Sequence, residues 1–301
     1  MSAAPASEIE RRLAEAVAEH GEWTAHNIHL GSGVYTRGPE LCGEEVKLRQ
    51  VVQTVADMAD RPFEQLRILD LGCLEGQYAI ELALHGAQVV GIDGREANLA
   101  KAAFARDVLG LSKLELLLED VRSLERERHG GFDVVLCWGL LYHLPARDVF
   151  DFIARLSDVC DGFALIDTHI SLSDDELGRH RPEDFWVNPY TQLGRLVRHE
   201  HGAHDYWGRD FREHAPGSTQ AQRRDSLWAS LDNETSFWLT RPSLLSALMH
   251  AGFTSAQSCV VPPVLWLPPD RATILATKGG AREPLLSTAL LDATVWEDFP
   301  E

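Results

Sequence analysis

The sequence predicts an α/β fold: a mostly parallel sheet of seven strands with helices on both faces. Three observations carry that prediction. Apolar runs of strand length alternate with amphipathic runs of helix length from residue 65 to residue 170. Glycines stand at the joints, at Gly72, Gly76, Gly86 and Gly110. Two strand-like runs end at an aspartate, Asp70 and Asp93, which places both acids at the carboxyl edge where such sheets bind ligands. Alternation of this kind requires parallel strands joined by right-handed crossovers.

Taken in order, Ser7-Glu8-Ile9-Glu10 has capping-box form, and Ile9, Leu13 and Val17 follow at helical spacing. Trp23 to Gly38, WTAHNIHLGSGVYTRG, has no sustained period and reads as loop with a short strand. Glu44–Met58 predicts a helix with Val51, Val52, Val55 and Met58 on one face. Residues 1–64 thus form an N-terminal helical lid. The core, 65–170, then runs as strand Ile68–Leu71, helix Gln77–His85, strand Gln88–Ile92, helix Glu96–Leu109 and strand Leu114–Leu118. It continues as strand Phe132–Cys137, helix Pro145–Ser157 and strand Phe163–Asp167. From Ser171 the alternation stops. The stretch holds His180, His199, His201, His204, His214, Trp186, Tyr190, Tyr206, Trp207 and Trp228, too aromatic for a linker and too long for an ordinary loop. It reads as an inserted cap, 171–235. The core resumes over 236–280 with a helix at Pro242–Ala251 and strands near Ser255–Val261 and Thr273–Thr277; the tail, 281–301, carries no motif.

The 301 residues are 45% apolar, enough for a packed core. No apolar run is long enough to span a bilayer, and MSAAPASEIERR lacks the layout of a secretory signal. The cysteines (Cys42, Cys73, Cys137, Cys160, Cys259) are scattered and form no CxxC pair, which fits the reduced thiols of a cytoplasmic protein rather than a disulfide frame or a zinc site. Formal net charge is −18, from 46 acidic and 28 basic residues, which repels phosphate backbones at long range and disfavours nucleic acid without excluding a local basic groove.

Gly72-Cys73-Leu74-Glu75-Gly76-Gln77 is the first glycine turn. It has no lysine to reach a phosphate, so it is not a Walker A loop. Counted from Gly72, the second and third glycines of a dinucleotide fingerprint fall on Leu74 and Gln77, and Glu75 sits where a pyrophosphate would approach. An acidic, glycine-bent turn suits a ligand that carries positive charge and no phosphate, such as S-adenosylmethionine (SAM).

The segment resembles the class I SAM-dependent methyltransferases, a Rossmann-like fold. Their first motif, an acidic residue followed by alternating glycines, is DLGCLEG here, with Leu74 at the middle glycine. The resemblance implies SAM contacts from Asp70, Gly72, Cys73 and Gly76 in the turn. It implies ribose contact at Asp93 beside Gly94, and adenine contact at Asp120 with Val121. The fourth-strand motif, FDVVLCWGLLYHL, adds Cys137 and Trp138, and "AGF" at Ala251-Gly252-Phe253 matches the end of the core. GLLYHLPARDVF is also similar to a stretch of the tRNA wobble-uridine carboxymethyltransferases, and Trp23, His26, Gly33 and Thr36 match a W–H–G–T pattern of related methyltransferases.

His143, His169 and Asp167 are the catalytic candidates. His169 lies two residues after Asp167, so both share a face if the strand continues, and an Asp–His pair at that edge can deprotonate an acceptor. Candidate substrate contacts are His26, Tyr142, Tyr206, Arg209 and Trp238. Arg209 is read either as a partner for a substrate carboxylate or as a surface ion pair with Asp205 or Asp210. No metal ligand set is predicted. The expected activity is methyl transfer from SAM to a small-molecule acceptor, in the setting of secondary metabolism. Three alternatives stand beside it: tRNA modification, attack on the aminocarboxypropyl arm of SAM, and SAM binding without catalysis.

Overall fold

The computed structural model describes residues 5–40, 45–185, 193–227, 229–261, 268–280 and 282. The expectations for Trp186, Tyr190, Trp228, Cys42 and the tail beyond residue 282 lie outside the described residues. Seven strands form one sheet in the order β11-β12-β7-β6-β3-β4-β5. These are β3 (Arg67–Leu71), β4 (Gln88–Asp93), β5 (Leu114–Leu118), β6 (Phe132–Trp138), β7 (Cys160–His169), β11 (Ser255–Ser258) and β12 (Arg271–Thr277). The α/β class and the seven-stranded, mostly parallel sheet are as the sequence predicts.

The chain divides into two compact units. The first is built on Met1–Ser123 with Phe132–Leu136; the second on Leu124–Gly131 and Cys137–Cys259, with β12.

In the first unit, β3 pairs parallel with β4, and β4 with β5. Four of the five β3 residues are buried, the pattern of a strand covered on both faces. Helices α3 (Gln77–Leu84) and α4 (Glu96–Leu109) follow β3 and β4. Before them come α1 (Ala6–His20), the antiparallel hairpin β1 (His29–Gly31) and β2 (Val34–Tyr35), and α2 (Glu45–Met58). Helix α1 starts earlier than the Ser7 capping box suggests: Pro5 caps it, its carbonyl accepting from Glu8 N and Ile9 N at 3.0 and 3.2 Å. The buried face of α2 is Gln50, Val51, Thr54 and Val55, while Met58 on the last turn is 40% exposed.

In the second unit, helix α6 (Ala146–Val159) runs straight into β7 without a loop. Strand β7 therefore extends to His169, past the expected end at Asp167. It pairs antiparallel with β12 from Phe163↔Thr277 to His169↔Arg271, and β12 pairs antiparallel with β11. The inserted stretch is more regular than its sequence suggests. It contains a three-stranded antiparallel sheet of β8 (Val197–His201), β9 (His204–Arg212) and β10 (Thr235–Leu239), in the order β10-β9-β8. Strand β10 is tied to neighbouring chain: Phe237 N donates to Leu144 O at 2.8 Å, and Ser171 N to Leu239 O at 2.8 Å. Helix α9 (Arg241–His250) follows, preceded by the short helices α5 (Arg126–His129), α7 (Asp174–Leu177) and α8 (Gln220–Asp225). Among the described residues, no helix is long and apolar enough to cross a membrane.

Candidate active site

In the first unit the turn between β3 and α3 takes left-handed backbone at Gly72 (φ 68°), Leu74 (φ 52°) and Gly76 (φ 86°). Glycine enters that region freely, whereas a leucine there costs about 1–2 kcal/mol. Leu74 stands where the resembled motif has its middle glycine, so the backbone conformation survives the substitution. Gly72 N and Cys73 N donate to Ile92 O at 2.8 and 3.0 Å, and Leu74 N donates to Asp93 Oδ2 at 3.0 Å. The Asp93 carboxylate also accepts from Arg95 N at 2.8 Å and from Asn98 Nδ2 at 3.4 Å. Burial pushes the Asp93 carboxyl above the ordinary aspartate value, and the Arg95 and Leu74 N–H groups oppose it. Gly94 follows directly. At Gly76 a Cβ would sit 2.9 Å from the Ala102 Cβ, so only glycine lets α4 approach.

Asp70 lies under this turn, buried. Burial raises its carboxyl to about 7, against a backbone hydrogen bond from Ala79 and with the nearby Asp93 charge adding to the rise. Its Oδ2 has no hydrogen-bond partner among the described residues. Cys73 is buried too, and burial lifts its thiol well above the ordinary value, so it is inert as a nucleophile. Glu119 N donates to Asp93 O at 3.1 Å, which sets Asp120 beside the end of β4. The Asp120 carboxylate is gripped by its own neighbour, Arg122, whose Nε lies 3.0 Å from both oxygens. Val121 is buried.

Glu75 turns toward the N-terminal segment. It is fully buried and accepts from Thr24 N (2.7 Å), Ala25 N (3.1 Å) and His26 N (2.9 Å), and pairs with Lys101 at 3.2 Å. Burial alone would raise its pKa, but these N–H groups hold it below the ordinary glutamate value. The acid in the turn is thus an anchor for the N-terminal segment. His26, a substrate candidate, belongs to this anchor: it is buried, and its Nδ1 accepts from Gln77 N at 3.2 Å.

In the second unit, Cys137 and Trp138 are buried at the end of β6, and Gly139 N donates to Asp167 O at 2.9 Å. His143 Nδ1 lies 2.9 Å from Glu213 Oε2. Asp167 and His169 each have a partner from another part of the chain. Asp167 holds Arg271, and accepts from Thr273 Oγ1 at 2.8 Å. His169 instead pairs with Asp270, Nδ1 to Oδ2 at 3.1 Å. The reason is register: β12 sets Arg271 opposite His169 and Thr273 opposite Asp167. Burial holds the His169 imidazole below its ordinary value, against the pull of Asp270.

An aromatic stack surrounds this group. Trp238 stacks on His169 at 4.5 Å and on Phe211 at 4.1 Å, and its Nε1 donates to Tyr142 O at 3.0 Å. The Tyr142 ring lies 4.2 Å from that of His143 and 4.8 Å, edge-on, from that of His169; Arg271 lies over it at 5.0 Å. Tyr206 stands apart, its hydroxyl 2.8 Å from His250 Nδ1. Arg209 is buried and consumed by the fold. It donates to Leu172 O and Gly194 O and pairs with Asp174 at 2.6 Å, not with Asp205 or Asp210. The His199 and His201 rings stack on Phe150, and His204 on His250, so this cluster is a packing surface. Sequence reasoning missed Glu213, Asp270, Arg271 and the Glu75–Lys101 pair.

Residues 68–161 match the family model described as a methyltransferase domain. Over that stretch the chain is similar to methyltransferase domains. Over this domain it is similar to the ubiquinone biosynthesis O-methyltransferase of Maricaulis maris, 38% identical over 91 residues, which is 30% of this chain and 35% of that protein. It is likewise 38% identical over 79 residues to the enzyme of that name from Bordetella pertussis, covering 26% of this chain and 32% of that protein. The match therefore spans about a third of those relatives' length. Among solved structures, the N-terminal domain of EvdMO1, determined with SAH and D-fucose, aligns at a TM-score of 0.62 and 25% identity, over 91% of this chain and 97% of that one. Magnesium protoporphyrin IX methyltransferase from Synechocystis PCC 6803 shares the fold, with TM-score 0.50 and 16% identity over 91% and 95% of the two chains.

Proposed function

We propose that this chain transfers a methyl group from SAM to a small-molecule acceptor. The observation that carries this reading is the glycine turn with its two acids. Asp93 accepts the Leu74 N–H, and in this reading its remaining lone pairs accept from ribose hydroxyls. Asp70 offers a buried oxygen with no hydrogen-bond partner among the described residues, a fit for the positive charge of the methionyl part. Asp120 and Val121 flank the adenine, the Asp120 contact competing with its Arg122 fork. Bound SAH in the EvdMO1 domain supports the donor, and the O-methyltransferase relatives support an acceptor of metabolite size. Bound SAM supplies a carbon activated by positive sulfur. The chain's own part is to align donor and acceptor, exclude water and take a proton where the acceptor carries one. In this reading residues 1–64 act as the lid and 171–235 as the substrate cap. The free thiols of Cys73 and Cys160 support a cytoplasmic setting.

The test is incubation of the protein with SAM and a metabolite extract, with the adenosyl products read by mass spectrometry against heat-inactivated protein. S-adenosylhomocysteine with a methylated metabolite is the expected result. Enzyme-dependent methylthioadenosine would overturn the methyl assignment in favour of the aminocarboxypropyl arm.

A further inference from the structure

The seven-stranded sheet ends at β5 on one side and at β11 on the other, and the two edges differ in chemistry. Strand β11 reads Ser255-Ala256-Gln257-Ser258, a polar edge. Strand β5 reads Leu114-Glu115-Leu116-Leu117-Leu118, in which Leu118 is 55% exposed and Leu116 and Leu117 are half-buried. An apolar edge with unpaired main-chain groups is a template for another strand. Bond parity shows which groups of β5 are open. Lys113 O accepts from Val89 N at 3.0 Å, and Glu119 N donates to Asp93 O at 3.1 Å, so the odd-numbered residues bond to β4. The N–H and C=O groups of Leu116 and Leu118, and the C=O of Leu114, point the other way. None of these makes a hydrogen bond among the described residues, whereas Leu114 N is taken by Leu111 O at 3.2 Å.

We infer that β5 pairs antiparallel with the β5 of a second copy of this chain, about a two-fold axis through Leu116. Each Leu116 N donates to the Leu116 O of the other copy, and each Leu118 N to the other copy's Leu114 O. On the same face the exposed Leu118 side chain then lies opposite Leu114, and Leu116 opposite Leu116. The charges select a second copy and this register. With Leu116 at the axis, Lys113 of each copy stands opposite Glu119 of the other, an attractive pair at both ends of the ladder. A shift one way sets Glu115 against Glu115, and a shift the other way sets Glu115 against Glu119; both juxtapose like charges. Lys113 is exposed and its Nζ donates to Gly86 O at 2.9 Å. An ammonium has three donors, so two serve the facing glutamate.

Sedimentation velocity on the full chain tests this. The mass should rise from one chain toward two between ~1 and ~100 μM protein. Leu118→Lys, at an exposed position, should raise the dimer Kd ~10-fold or more with the circular dichroism spectrum preserved. Lys113→Glu should raise it ~10-fold as well, because it sets two glutamates face to face at each end. The double variant Lys113→Glu/Glu119→Lys restores opposite charges and should return the Kd to within ~3-fold of wild type. In the wild type, exchange of the Leu116 and Leu118 amides should slow as protein concentration rises, a readout that depends on no variant folding. A single-chain mass at every concentration, exchange at Leu116 and Leu118 independent of concentration, or a dimer indifferent to both single substitutions would each overturn the proposal. A charge swap that dimerises as weakly as Lys113→Glu alone would overturn it too.

Discussion

Asp70 and Asp93 end neighbouring strands, yet their carboxyls are held very differently. Asp93 has three donors on it, and Asp70 keeps a buried oxygen with no partner among the described residues. Asp93→Ala should weaken SAM binding more than ~10-fold in calorimetry while the circular dichroism spectrum is preserved; unchanged affinity would remove the ribose assignment. Asp70 predicts a pH effect on stability. Its carboxyl is raised from 3.8 to about 7 in the folded protein. The folded state therefore keeps a proton that the unfolded chain loses, and stability declines as pH rises through that window. Urea midpoints at pH 5 and pH 7.5 should show that decline in the wild type and a flatter profile in Asp70→Asn. Parallel profiles would mean that other groups set the slope.

At the scale of elements, the glycine turn, the proposed SAM loop, is also a fastening. Glu75 joins the start of α3 to the segment before β1, and Lys101 of α4 donates to Glu22 O at 2.5 Å beside it. Removing one member leaves the other charge buried without compensation. Glu75→Ala should cost about 3–5 kcal/mol in urea unfolding. Amide exchange at Thr24, Ala25 and His26 should accelerate more than exchange in β3; uniform acceleration would argue against a local fastening. Gly76→Ala combines a left-handed backbone with a clash against Ala102. It should cost about 2 kcal/mol or more and lower SAM affinity. Full stability with normal SAM binding would show that the turn tolerates a side chain there as it does at Leu74.

At the scale of the whole molecule, the charge of −18 sets which partners approach. Long-range repulsion should leave tRNA unretarded in a gel shift at 150 mM salt, about physiological ionic strength, where the screening length is about 8 Å. A salt-sensitive complex would show that a basic groove outweighs the net charge and would revive an RNA acceptor. The turn and its acids lie in the first unit, and the His143–Glu213 pair and the aromatic stack in the second.

The parallel core, the turn and the place of Asp93 were legible in the sequence because each is written locally. Strand-length apolar runs, glycines at the joints and an acid at a strand end fall within one β–turn–α–β stretch. The partners of the charged side chains were not. Ala25 lies 50 residues from Glu75, Glu213 lies 70 from His143, and Asp270 lies 101 from His169. Asp167 and His169 sat at suggestive spacing, but an antiparallel strand from the far end of the chain supplied Arg271 and Asp270 and gave each a different partner. Periodicity along the chain reports which face a residue occupies. Which charge it meets across that face depends on strand order and register, and only the tertiary structure decides those.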